Sequence, residues 1–163
     1  MRTIKKYIVV LSFALTTFTL SGCGINNDKS LNSIVTEINS KVPLNNMQKG
    51  DSKALKRFFG LNSNEFKDFV LYTPKSTMDV EEMLIVKLKD KSQAQGVEDA
   101  IDSRVNKQIE SFSGYGPKQV ALLQDYEVKS KGDYVFYSVS NNLEKINVFK
   151  SFSTFFIDKT LYI

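Results

Sequence analysis

The chain has 163 residues and a formal net charge of +4, and 42% of it is hydrophobic, with 12 Phe and 7 Tyr. That length and apolar content suit one domain with a real core. There is no histidine and a single cysteine, which excludes His-based nucleophilic triads, the usual nitrogen and sulfur zinc sites, and any internal disulfide.

The N-terminus reads in three parts. Met1 to Tyr7 carries Arg2, Lys5 and Lys6 and no acid. Ile8 to Leu20 is an apolar run broken only by Ser12 and threonines, and Leu20-Ser21-Gly22 then sets small residues before Cys23. A basic segment, a short apolar segment and a small-residue cleavage site describe a secretory signal. The apolar run is shorter than the roughly 20 residues a spanning helix needs. Only a thiol can take a diacylglyceryl thioether, so the expectation is a signal over residues 1–22 and lipid on Cys23. A lipidated Cys23 leaves no free thiol for catalysis. The expected address is the cell membrane, lipid-anchored on its extracytoplasmic side.

Removing the signal changes the charge picture. Taking Arg2, Lys5 and Lys6 from the 22 basic residues leaves 19 against 18 acidic ones, a net of +1. The basic residues are spread along the sequence, and nucleic-acid binding needs a concentrated positive face. No nucleic-acid partner is expected, and no cofactor or metal site.

Residues 23–29 are small and polar and read as a tether, leaving 30–163 as the domain. Leu31, Ile34, Val35, Ile38 and Val42 recur at helical spacing, so residues 30–41 should form an amphipathic helix ended by Pro43. Asn45, Asn46 and Gly50 mark a loop. Ser52 reads as the N-cap of a short helix through Phe59, stopped by Gly60. Phe66 to Thr73 and Met83 to Leu88 read as strands joined by a wide loop or a bulge.

Residues 92–112 give the clearest helix. Ala94, Val97, Ile101, Val105, Ile109 and Phe112 form one apolar face. Glu98, Asp99, Asp102, Arg104, Lys107 and Glu110 form the other, read as a solvated face. Ser113-Gly114-Tyr115-Gly116-Pro117 breaks it, and one more helical turn over Lys118 to Leu123 follows. Tyr126 to Lys129 and Tyr134 to Val139 read as strands, with Gly132 in the turn. A final helix is expected over residues 142–151, then an apolar tail, with Phe155 to Ile157 and Leu161 to Ile163 as an edge strand or docked end.

Two hairpin-like pairs with helices between them predict an α+β domain. Its antiparallel sheet should have about four strands, with the long amphipathic helix packed on one face. The other face of such a sheet is left to water or a partner.

The landmarks in order are the lipobox, Phe58-Phe59-Gly60-Leu61, Glu81-Glu82 before an apolar strand, the long charged helix, Tyr115-Gly116-Pro117-Lys118-Gln119 and Gly132-Asp133-Tyr134-Val135. In order and spacing they resemble a family of small lipoproteins from clostridial-type Gram-positive bacteria, built on an uncharacterised domain of unknown function. The resemblance spans roughly residues 30 to 150. It implies an anchored single domain and brings no catalytic residues.

Several motifs carry chemistry in principle. Asp79, Glu81 and Glu82 can share a proton or hold calcium, but the spacing lacks the alternating ligands and glycine of a calcium loop, so solvated charge is the simpler reading. Tyr115 between two glycines and before Pro117 can act as an aromatic platform, or simply end a helix. Ser92 near Lys89 and Lys91 is better read as an N-cap than as a Ser–Lys nucleophile. Phe66, Phe69, Tyr72, Tyr134, Phe136 and Tyr137 make the strands aromatic, as core packing or as a ligand pocket. Glu81, Glu82, Tyr115, Pro117 and Tyr134 are the candidate contacts to a ligand or partner.

These features favour a non-enzymatic binding or interaction module with a protein or cell-wall partner. The alternatives are a wall- or spore-remodelling enzyme or enzyme accessory using carboxylates, and a carrier for a small apolar ligand.

Overall fold

The computed structural model describes residues 30–42 and 44–141, with Lys150, Phe152 and Ser153 near the end. The lipobox, the tether, Pro43, all but Lys150 of the helix expected over residues 142–151, and the tail beyond 153 lie outside the described residues. The described part is α+β. Helix α1 (Leu31–Lys41) leads to strand β1 (Met47–Gly50), helix α2 (Ser52–Phe59), strand β2 (Phe66–Pro74) and strand β3 (Glu82–Leu88). Helices α3 (Ala94–Phe112) and α4 (Pro117–Gln124) then precede strands β4 (Glu127–Lys131) and β5 (Tyr134–Val139).

The sheet has five strands in the order β1-β2-β3-β5-β4, all antiparallel. The two hairpins join through β3 and β5, with Leu84 opposite Tyr137 and Val86 opposite Val135. The extra strand is β1, in the segment expected to be loop. It pairs Met47 with Pro74 and Gly50 with Leu71. Its four residues, Met-Gln-Lys-Gly, show no apolar alternation, so only pairing with β2 makes it a strand.

Strand β3 is buried along its whole length, because both faces of the sheet are covered. Leu84, Val86 and Leu88 pack with Val135, Tyr137 and Val139 against Val97, Ile101, Val105 and Phe112 of α3. Met83 and Ile85 point the other way, into a second cluster with Val70, Phe136, Leu31, Ile34 and Ile38. Period-two alternation thus feeds two cores from one strand. The long helix lies on one face as expected. The opposite face is not open, as a four-stranded reading implied: α1 covers it, and Phe152 joins from the tail, stacked 4.8 Å from Phe136.

Strand β2 shows how a single residue keeps the pattern. The register slips between Phe66 and Asp68. The bulge resets the parity, so that Phe66 joins Phe69 and Leu71 on the α3 side.

The caps differ in detail from the expected ones. Asp51, not Ser52, caps α2, accepting from the Ala54 amide at 2.9 Å. Gly60 ends that helix with φ 73° and Gly132 turns the last hairpin with φ 65°, both in the left-handed region. Before α3, Asp90 accepts from the Ser92 amide, and Gln93 reaches back to the Lys89 and Asp90 amides in a capping box. Asp90 takes the role expected of Ser92, and the Ser92 backbone amide holds the Asp90 carboxyl below the usual carboxylate range.

Candidate functional site: a buried carboxylate network and an exposed apolar corner

The candidate residues separate into two places. The first is buried. Glu82 opens β3 with its side chain on the α3 side and is fully enclosed. Arg104 of α3 forks onto it, with Nε donating to Oε1 and Nη2 to Oε2, both at 3.2 Å. The Tyr137 hydroxyl, from the neighbouring strand β5, donates to Oε1 at 2.8 Å. Turning the Gln108 amide completes the set: its nitrogen donates to Glu82 Oε1 at 3.2 Å and its oxygen accepts from Arg104 Nη2 at 3.0 Å.

Rings enclose this network. Phe58 lies under the Arg104 guanidinium at 4.7 Å, and Phe59 and Tyr126 meet Tyr137 edge-on at 5.9 and 6.2 Å. A buried carboxylate is tolerable only when paired and hydrogen-bonded, and Glu82 is both. Burial, together with the Glu82 charge and hydrogen bond, pushes the Tyr137 hydroxyl well above the usual tyrosine range, and Arg104 opposes that only in part.

The network revises the reading of α3's charged face as plainly solvated. Arg104 is half-buried in the ion pair, and two acids on that helix are tied to β4 and its approach. The Tyr126 hydroxyl donates to Asp102 at 2.7 Å, which raises the tyrosine's pKa, and Ser130 donates to Glu98. The signal was present in the spacing. Ile101, Arg104, Val105 and Gln108 step by three, one and three, which places Arg104 and Gln108 beside core positions.

Of the other candidates, Tyr134 is buried in the second cluster with the Lys87 ammonium over its ring at 5.4 Å, so its side chain faces the core. Glu81 is half-buried and Asp79 exposed. Among the described residues no group of three or more acidic, histidine or cysteine side chains is arranged to hold a metal. Lys89 donates to the Asn64 carbonyl at 2.6 Å, and Ser92 belongs to the capping turn. Of the aromatic strand residues, Phe66 and Tyr137 belong to the first core and Phe136 to the second.

The second place is an exposed corner. Met78 and Tyr115 are the large hydrophobic side chains most open to solvent among the described residues, at 53% and 61%. Met78 lies in the β2–β3 loop and Tyr115 in the α3–α4 turn. Gln119 ties the first loop to α4, the helix that follows the second, by donating to the Met78 carbonyl at 3.0 Å. Tyr115 leans on Phe112 with ring centroids 5.5 Å apart, and exposed Pro117 follows as the first residue of α4. The sequence pointed to Tyr115 and Pro117; Met78 joins them only through the sheet topology.

A family profile matches residues 40–140, which hold the whole sheet, α2, α3 and α4. The chain belongs to the DUF4358 family, a domain of unknown function. No curated protein and no solved structure matches it significantly. In this DUF4358 domain both the buried network and the exposed corner fall inside the matched residues, whereas all but the last residues of α1 and the whole of the tail fall outside them. No helix among the described residues is long and apolar enough to cross a membrane.

Proposed function

We propose that this DUF4358 chain is an extracytoplasmic lipoprotein, of the kind found in clostridial-type Gram-positive cells, that acts as a binding module for a protein partner. In this reading lipid on Cys23, after cleavage at Leu20-Ser21-Gly22, holds the domain at the membrane. The binding surface is the corner of Met78, Tyr115 and Pro117. The observation that carries it is the exposure of two large apolar side chains, one on the β2–β3 loop and one on the α3–α4 turn, with α4 tied to the first loop by the Gln119–Met78 hydrogen bond. Aromatic and methionine side chains are enriched at the centres of protein interfaces.

The carboxylate-based alternative has less support. Its main candidate, Glu82, is sealed and neutralised by Arg104 rather than set beside a second acid in a cleft.

A photo-crosslinking residue placed at position 115 in whole cells tests the corner. A discrete protein adduct is expected at 115 and at 78, and none at 131 at the opposite end of the sheet. Equal yields at all three positions, or no adduct at 115, would discard the corner. The anchor has its own test. Cys23→Ala should lose labelled palmitate and leave the membrane fraction, and retention of both would remove the lipoprotein reading.

A further inference from the structure

Helix α2 concentrates positive charge that looked scattered in the linear sequence. Leu55 and Phe59 bury one side of it. Lys53, Lys56 and Arg57, at i, i+3 and i+4, share the exposed side. They line one wall of a groove whose other wall is Asn62, Ser63 and Asn64. Among the described residues no carboxylate lines the groove. From Asn45 to Asn64 the chain has four basic residues, Lys49 among them, and one acid, Asp51. That acid is turned onto the Ala54 amide as the helix cap.

Two of the three cations are held in place. Lys56 Nζ donates to the Gly60 carbonyl at 3.1 Å, and the Arg57 guanidinium sits over Phe58 at 5.4 Å. Lys89 supports the far wall through the Asn64 carbonyl. Polar amide and hydroxyl groups facing three cations suit a phosphate, which wants charge and several donors at once.

The position of the groove selects the source of that phosphate. Helix α2 follows the end of β1 at Gly50, and the turn after it feeds the start of β2 at Phe66. Met78 lies beyond the other end of β2. The Asn62–Asn64 wall of the groove is therefore at the Phe66 end of β2, and the apolar corner is beyond its other end. A tether of seven residues, 23 to 29, reaches at most about 24 Å, so an anchored domain stays close to the headgroups.

We propose that the Lys53–Lys56–Arg57 groove binds phosphate headgroups of the anionic membrane that carries the anchor, and so turns the Met78–Tyr115 corner away from the bilayer. The proposal rests on the anchored reading above.

The test uses the full lipidated chain in vesicles of phosphatidylglycerol with phosphatidylcholine, or of phosphatidylcholine alone, with lysine acetylation rates read by mass spectrometry. Lys53 and Lys56 should react at least about threefold more slowly in the anionic vesicles, with Lys118 near the corner unchanged. Arg57→Glu should erase the protection, and so should about 0.5 M salt. Equal rates in the two vesicle types overturn the proposal. So does protection of Lys118 in place of Lys53. Protection produced by inorganic phosphate with phosphatidylcholine vesicles, and absent with phosphatidylglycerol, would assign the groove to a soluble anion and also overturn it. The Cys23→Ala chain separates the two readings: if it partitions onto vesicles as the wild type does, the anchor fails, whereas the acetylation pattern of vesicle-bound chain judges the groove alone.

Discussion

Glu82 shows how much one residue can constrain. Its carboxylate is closed off from water and depends on Arg104, Tyr137 and Gln108 together. Removing one partner of such a group costs more than the pair contributes net, because the other charge stays buried. Tyr137→Phe deletes only the hydroxyl, and is expected to cost about 1–3 kcal/mol in urea unfolding. It should also change the pH dependence. The Tyr137 pKa is raised in the folded state, so above the ordinary tyrosine value the unfolded chain releases a proton that the folded chain keeps. That contribution to stability is complete below about pH 10 and is lost as pH climbs from there toward the folded-state value. Thermal melts between about pH 8 and 11 should therefore fall more steeply for the wild type than for Tyr137→Phe. Parallel curves would show that burial and the carboxylate together do not raise the hydroxyl's pKa. The sequence marked Glu82 as notable through its place before an apolar strand. Its partners lie 22 and 55 residues away, and no local pattern links them.

Elements divide by the strength of their periodic signal. Helix α3 and strand β3 were legible because many residues repeat one pattern, and tertiary packing agrees with it. Strand β1 was not legible, since four residues of mixed character become a strand only by pairing with β2. Caps lie between these cases. Ser52 and Asp51 are both good cap residues, and sequence alone cannot choose between neighbours. The structure assigns the role to Asp51, so Asp51→Ala should destabilise the domain by about 1 kcal/mol while Ser52→Ala stays within about 0.5 kcal/mol of wild type. Chemical denaturation of the two variants side by side checks this, and a larger loss for Ser52→Ala would reverse the assignment.

At the scale of the whole molecule the sheet is a shared wall between two cores. The expectation of one open face came from counting helices between strands and leaving the first and last segments unplaced. The open face is filled by α1 and by Phe152, whose ring is fully buried against Phe136. Phe152→Ala should then cost about 3–5 kcal/mol, with the domain still unfolding in one cooperative step because β3 belongs to both cores. A loss below about 1 kcal/mol would mean that the tail does not contribute to the second core. The apolar corner became visible only at this scale, since its loops are far apart in the sequence, whereas the cationic groove is built within residues 52–64.

The burial of Phe152 also has a consequence in time. The family-matched region ends at residue 140, yet the second core is incomplete until a ring 12 residues further on arrives. A chain emerging from its N-terminus produces α1 first, but its partners on β3 and β5 follow some 50 to 100 residues later. The final wedge comes last. The second core therefore stays unsealed until residue 152 has been delivered, after every residue of the first core is already in place.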